Sequence, residues 1–330
     1  MSWESRYLPG DPLLWQRSSE PPSDTCFSHH MVPIDLMKQV PEKTTQTAFA
    51  FVGFKCDEGV QRDLGRTGAK EGPAAIRQRL ARLPLQKTNI KLYDAGNVVC
   101  ADHDLEASQA SLAEVIKLLL DKNIHPLVLG GGHEMAFGHY QGIAKAYSPQ
   151  KRLGIINFDA HFDLNRLHPS NRGSATTAFY QIAIAHEAEG RHFDYNCIGI
   201  QHVGNLRPAF DIAKEYNVKA ILADDMHEGL REKCSDFVDR VIDENDYIFI
   251  SLSLDVFAPA FAPGVSSIQP LGLYPWHLIP LLRQLAISGK VVSYEIAEHV
   301  PRYDIDHRTA KLAATLLYEI IHHHEDHIRP

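Results

Sequence analysis

From Ala48 onward, short apolar runs alternate with segments whose apolar residues recur at helical spacing. The runs are AFAFVGF (48–54), IKLYDAG (90–96), HPLVLG (125–130), RLGIINF (152–158), FDYNCIGI (193–200), VKAILA (218–223), YIFISLSL (247–254) and KVVSYEI (290–296), which gives eight candidate strands. Between them GPAAIRQRLARL (72–83), ASLAEVIKLLLDK (110–122), AFDIAKEY (209–216) and PWHLIPLLRQLAIS (275–288) predict helices, and a further one is expected over 309–317. Strands that alternate with helices predict a mostly parallel sheet covered on both faces, a three-layer α/β/α fold. The stretch 1–45, rich in Pro, Ser and His, is expected to be an irregular arm. No linker interrupts the remainder, so 46–330 is expected to form a single domain. The tail HHHEDH (322–327) has metal-binding composition but is read as a solvated helix end.

Composition narrows the class. A net charge of -8 over 330 residues argues against a nucleic-acid surface. Five scattered cysteines with no CxxC pair suggest reduced thiols and a cytoplasmic setting. No N-terminal leader pattern is seen, and no run approaches the roughly 20 apolar residues a membrane span requires.

In open parallel sheets ligands bind beyond the carboxyl ends of the strands, and the polar residues of interest cluster there. HPLVLGGGHEM (125–135) carries a strand into three glycines and His133. It is no zincin helix, because Phe137 stands where HExxH needs its second His, and no Gly-Lys-Ser/Thr follows to make a phosphate loop. IINFDAHFDLNR (155–166) places Asp159, His161 and Asp163 two residues apart, on one face if the backbone is extended. Two carboxylates and an imidazole at the end of a buried strand need a compensating charge. A divalent cation supplies it, and this donor set suits Mn, Fe or Zn. In YIFISLSLDVFAPAFAPGVS (247–266), Ser251, Ser253 and Asp255 share a face by the same alternation. KVVSYEIAEHVP (290–301) ends near Glu295, with Glu298 beyond it.

In order along the chain, GGGHE (130–134), NFDAHFDL (157–164), SLSLDVFAPAFAPGVS (251–266) and EIAEHVP (295–301) resemble the ureohydrolase family of arginases, agmatinases and formimidoylglutamases, over roughly 48–320. GRTGAKEGPAAIR (65–77) and DIDHRTAKLAA (304–314) are most similar to the formimidoylglutamase branch. The resemblance implies an arginase-like sheet and two Mn2+ ions. It further implies metal-assisted hydrolysis of N-formimidoyl-L-glutamate to L-glutamate and formamide, in histidine degradation. On that reading His133 and Asp163 hold one ion, His161 and Asp255 the other, and Asp159 bridges them. Asp163 relays a proton, Glu298 orients the amidine, and Glu295 supports the site. Arg166 and Arg172, with Arg66 behind them, are the candidates to bind the substrate carboxylates.

This sequence departs from the family pattern at two places. Ser253 stands where a second bridging Asp is usual, and Ala175 falls at a position where arginases and agmatinases carry a His. A neutral hydroxyl is a poor replacement for a carboxylate at Mn2+, so weaker holding of at least one ion is expected. The alternatives are agmatinase or another guanidino hydrolase, and a metal-poor homologue that binds a ligand without turning it over. A small-molecule substrate is expected, with neither nucleic acid nor membrane as partner; the family resemblance also admits a homo-oligomer.

Overall fold

The computed structural model describes residues 2–16, 25–167 and 171–326. Ten strands form one sheet: Tyr7–Leu8 (β1), Met31–Pro33 (β2), Ala48–Lys55 (β3), Lys91–Val99 (β4), His125–Leu129 (β5), Leu153–Phe158 (β6), Asp194–Ile200 (β7), Lys219–Leu222 (β8), Tyr247–Ser253 (β9) and Val291–Ala297 (β10). The spatial order is β1-β4-β3-β5-β10-β9-β6-β7-β8, and β2 also pairs with β4. The pairs from β4 to β8 are all parallel. The eight expected runs therefore all form strands. The two added strands come from the stretch expected to be an irregular arm. They are two and three residues long and dock on β4, β1 antiparallel and β2 parallel. Such short segments have no periodicity to read, and pairing with β4 is what makes them strands.

Alternation along each strand builds two cores. Phe49, Phe51, Leu127, Leu129, Ile250, Leu252, Tyr294 and Ile296 pack with the helices Gly72–Leu80, Arg231–Glu244, Pro275–Ala286 and Arg308–His323. Ala50, Val52, Phe54, Val128, Ile155 and Phe249 face the other way, onto Leu105–Leu120, Met135–Ala146, Ala178–Ala188 and Arg207–Glu215. This is the expected three-layer arrangement. The helix expected from 110 begins earlier, at Leu105, because the Asp104 side chain caps it by accepting from the Ala107 amide at 3.0 Å. The last helix runs on to His323, and His324 just past it is buried against expectation, whereas Glu325 and Asp326 are exposed and His327 lies outside the described residues. Among the described residues no cysteine forms a disulfide. Among the described residues no helix is long and apolar enough to cross a membrane.

One buried ion pair ties the edge of the sheet to the segments behind the site. Arg77 donates from Nη2 to Asp94 Oδ1 at 2.8 Å and to the Gly96 carbonyl at 2.7 Å, and Trp15 Nε1 donates to Asp94 Oδ2 at 2.7 Å. The helix that carries Arg77 starts at Gly72, where an added Cβ would lie 2.7 Å from the His299 carbonyl and 2.8 Å from that of Gly130. The helix N-terminus thus rests directly on two of the loops that shape the site. Arg77→Ala leaves Asp94 buried without its cation and is expected to cost about 3–5 kcal/mol of stability, measured by urea unfolding. A change of under about 1 kcal/mol would show that the charge pair contributes little.

Candidate metal centre

Four neighbouring strands in the middle of the sheet, β5, β10, β9 and β6, each end in a loop that supplies an acidic or imidazole side chain. His133 follows β5, Glu298 follows β10, Asp255 follows β9, and Asp159, His161 and Asp163 follow β6. Sequence separations of over a hundred residues thus collapse to contact.

The loop after β5 needs its glycines for space. A Cβ on Gly131 would sit 2.3 Å from the Cys56 carbonyl and 2.5 Å from that of Phe54, and one on Gly132 would meet the Glu134 carboxylate. With all three residues bare, the backbone drops against its neighbours and turns His133 inward. The Glu134 carboxyl beneath it accepts from the Gly59 amide at 3.0 Å, and burial holds its pKa well above the carboxylate range.

The segment after β6 differs from the expected extended geometry. The strand ends at Phe158, and Asp159 to Asp163 form an irregular loop in which Asp163 has φ of 49°. Asp159 Oδ1 accepts from the His161 amide at 2.7 Å, Asn205 Oδ1 accepts from the Phe162 amide at 2.9 Å, and Asn205 Nδ2 donates to the Ala160 carbonyl at 2.8 Å. The three polar residues converge because this loop is tied down, not because of strand alternation.

Two groups of possible ligands result: His133 with Asp159 and Asp163, and His161 with Asp159 and Asp255. Asp159 belongs to both. His133 Nδ1 lies 2.9 Å from Asp159 Oδ2 and 2.8 Å from Asp163 Oδ2, while His161 Nδ1 lies 3.3 Å from Asp159 Oδ1 and 3.3 Å from Asp255 Oδ2. All are buried except His161, which is partly exposed. Ser253 Oγ donates to Asp255 Oδ1 at 2.7 Å and lines the same cavity, with Ala175, Thr176, Ser266, Ser267 and Glu298.

The electrostatics are those of a cation site. Burial lowers the pKa of both imidazoles, but Asp159 and Asp163 at His133, and Asp255 and Asp159 at His161, outweigh it and hold each well above the ordinary histidine value. Burial raises Asp159, but contacts to both imidazoles override it and keep this carboxyl below the usual range. Asp163 is pushed up to about 6 by burial and by the charge of Asp159, and Asp255 is raised for the same reasons. Glu298 is pushed up to about 7 by burial and by Asp255. Metal binding to such a site must displace protons.

A direct test of whether a metal fits comes from His133. Its buried Nδ1 makes no hydrogen bond of acceptable geometry, although two carboxylate oxygens are within ion-pair distance. Ser251 Oγ donates to Glu295 Oε1 at 2.8 Å and so accepts from His133 Nε2 at 2.7 Å. In the neutral ring the proton is therefore fixed on Nε2 and a lone pair points from Nδ1 between the carboxylates, as a metal ligand requires. Glu295 in turn faces His139 Nδ1 at 2.8 Å from its other oxygen. Sequence reading placed Glu295 as a supporting acid but did not find Ser251 or His139 as its partners. The signal available was buried polar residues on a strand face otherwise filled by Phe249 and Val292.

The arginines lie elsewhere. Arg166 and Arg172 line a hollow with Arg62, Asp63 and Asn165 that shares Thr176 with the metal-ligand cavity. Arg166 bonds Tyr180 Oη at 2.9 Å and Glu215 Oε2 at 2.8 Å, and Arg172 lies 3.7 Å from Glu106. Arg66 donates to the Val265 carbonyl and stacks 3.8 Å from the Tyr303 ring centre.

The Arginase family profile matches residues 47–323. The chain belongs to the arginase family. Formimidoylglutamase of Legionella pneumophila (strain Paris) is 41% identical over 96% of this chain and 98% of its own length. Formimidoylglutamase of Clostridium tetani is 38% identical over 96% and 95% respectively. The crystal structure of Bacillus subtilis formimidoylglutamase shares the fold with a TM-score of 0.80, at 24% identity, covering 92% of this chain and 94% of that one. A Trypanosoma cruzi formiminoglutamase determined with Mn2+ aligns with a TM-score of 0.75 at 23% identity, covering 83% of this chain and 92% of that one.

The relay behind His133 carries its own test. Ser251→Ala removes the acceptor that fixes the His133 tautomer and leaves Glu295 Oε1 without its donor. Metal affinity at the His133 group is expected to fall about 10–100-fold, read by Mn2+ titration of the metal-stripped protein. Unchanged affinity would show that Ser251 fills space and nothing more.

Proposed function

We propose that this chain is a formimidoylglutamase that hydrolyses the amidine carbon–nitrogen bond of N-formimidoyl-L-glutamate, releasing L-glutamate and formamide. The observation that carries the hydrolytic reading is Asp159 shared by two His/Asp groups at the ends of the central strands β5, β6 and β9. End-to-end similarity to formimidoylglutamases supports that choice of substrate. His133 and Asp163 would hold one Mn2+, His161 and Asp255 a second, with Asp159 between them. Ser253, engaged to Asp255, contributes no charge there, which favours weaker binding of one ion. When bound, such ions activate water and polarise the scissile group.

The chain's own residues account for the rest of the reaction. Glu298 is held from behind: the His133 amide donates to its Oε1 at 2.7 Å, and Ser266 Oγ donates to its Oε2. Its backbone has φ of 70°, a conformation costly for a glutamate, which aims the carboxyl into the cavity. With a pKa pushed up to about 7, it ionises readily when a cationic amidine arrives, and charge-assisted hydrogen bonds then orient the substrate. Asp163 lines the same cavity and is placed to relay a proton from water to the departing nitrogen. Burial of these groups excludes bulk water from the proton's path.

The hollow beyond Thr176 is the site we assign to the substrate's glutamate portion, with Arg166 and Arg172 as carboxylate receptors. Agmatine, a dication, is disfavoured by these cations. The Mn2+-loaded protein is expected to release formamide from N-formimidoyl-L-glutamate and to leave agmatine intact. Arg166→Glu should raise KM about tenfold or more, the loss of one charge-assisted contact, with kcat little changed. No turnover at any added Mn2+ would favour a metal-poor binding protein, and an unchanged KM would remove Arg166 from the site.

A further inference from the structure

At the end of the strands opposite this cavity, the start of β5 and the end of the last helix build a second cluster of ligand-type side chains. His125 opens β5, and His324 and Asp326 follow the last helix. They are about two hundred residues apart in sequence, yet His125 Nε2 lies 2.6 Å from Asp326 Oδ1, His324 Nε2 lies 3.2 Å from the same oxygen, and the two Nε2 atoms are 3.3 Å apart. Both imidazoles are buried, and Asp326 is partly exposed.

We propose that His125, His324 and Asp326 form a structural site for a Zn2+-class divalent ion that fastens the C-terminal tail to the sheet, separate from the catalytic pair. Three arguments support it. The first is the tautomer of His125. Its Nδ1 lies 3.1 Å from the Val292 carbonyl, which can only accept, so Nδ1 carries the proton and the neutral ring directs a lone pair from Nε2 toward Asp326. A lone pair facing a carboxylate at that distance is repulsive unless a positive charge lies between them.

The second is dimension. With Zn–N bonds of about 2.05 Å and tetrahedral angles, two ligating nitrogens stand about 3.3 Å apart. The Nε2–Nε2 separation is 3.3 Å, and that from His324 Nε2 to Asp326 Oδ1 is 3.2 Å. The 2.6 Å between His125 and Asp326 requires the carboxylate to open by well under an ångström, and it sits on the tail, where it has room.

The third is support around the ligands. Tyr294 Oη bonds His324 Nδ1 at 2.8 Å and so fixes that ring from the far side. Phe49 packs against both rings, its centroid 5.6 Å from that of His125 and 5.1 Å from that of His324. Lys87 Nζ donates to the His324 carbonyl at 2.6 Å and holds the backbone in place. Two imidazoles and a carboxylate match zinc better than manganese.

The rival is an imidazolium–carboxylate pair, with His125 doubly protonated and no metal. The experiment uses the full chain, stripped with a chelator and dialysed against Zn2+ alone, with bound zinc counted by mass spectrometry. Asp326→Asn and His324→Gln should each hold one ion fewer than the unmodified chain. Zn2+ should raise the Tm of the unmodified chain at concentrations that leave both variants unmoved at this step. If His324→Gln fails to fold, Asp326→Asn, which alters a partly exposed residue beyond the helix, carries the comparison. Equal zinc content in the unmodified chain and Asp326→Asn would overturn the proposal in favour of the charged pair. The count does not depend on hydrolase activity, so failure of the proposed reaction leaves this test intact.

Discussion

The site depends on one constraint: Asp159 is buried between two imidazoles, with two more carboxylates in contact with the same rings. Burying three carboxylates this close together is unfavourable by many kcal/mol without positive charge among them. In the absence of metal, protons on His133 and His161 can supply that charge, which is why their pKa values rise against the pull of burial. A pair of dications supplies it better. The same negative field thus explains the perturbed ionisation and the capacity for metal. The same crowding raises Asp163 and Glu298 toward neutrality in the metal-free site.

The sheet order makes this crowding possible. β10 and β9 are inserted between β5 and β6, so the loops that carry His133, Glu298, Asp255 and Asp159 emerge side by side. Behind them, polar side chains on one face of the central strands, Ser251 and Glu295 with His139 on the covering helix, replace apolar packing to orient His133. The glycines after β5 and the helix starting at Gly72 keep the loops close. The protein therefore gives up apolar core volume near the site in return for fixed ligand directions.

Much of this was legible in the chain. The eight expected strands stood out as short apolar runs, most of them buried, and Asp159, His161 and Asp163 stood out because no buried strand end tolerates such residues without a reason. The geometry of that segment was misread as extended, since the Asn205 contacts that bend it lie some forty residues away. Ser251, His139 and Glu295 could not be joined from sequence because their pairing depends on which strands are neighbours. The burial of His324 escapes the sequence for the same reason: it has no apolar pattern of its own, and its partner is His125. The arginines past the DAHFD segment proved to line a neighbouring hollow, since a bend at Asp163 turns the following residues away from the ligands.

The central claim is that one carboxylate serves two cation sites. The most direct test is manganese content of the purified, Mn2+-dialysed chain when single ligands are changed. His133→Asn and Asp255→Asn should each lose one ion and keep the other, whereas Asp159→Asn should lose both. Retention of one full equivalent by Asp159→Asn would contradict the shared carboxylate and leave two independent sites, or one.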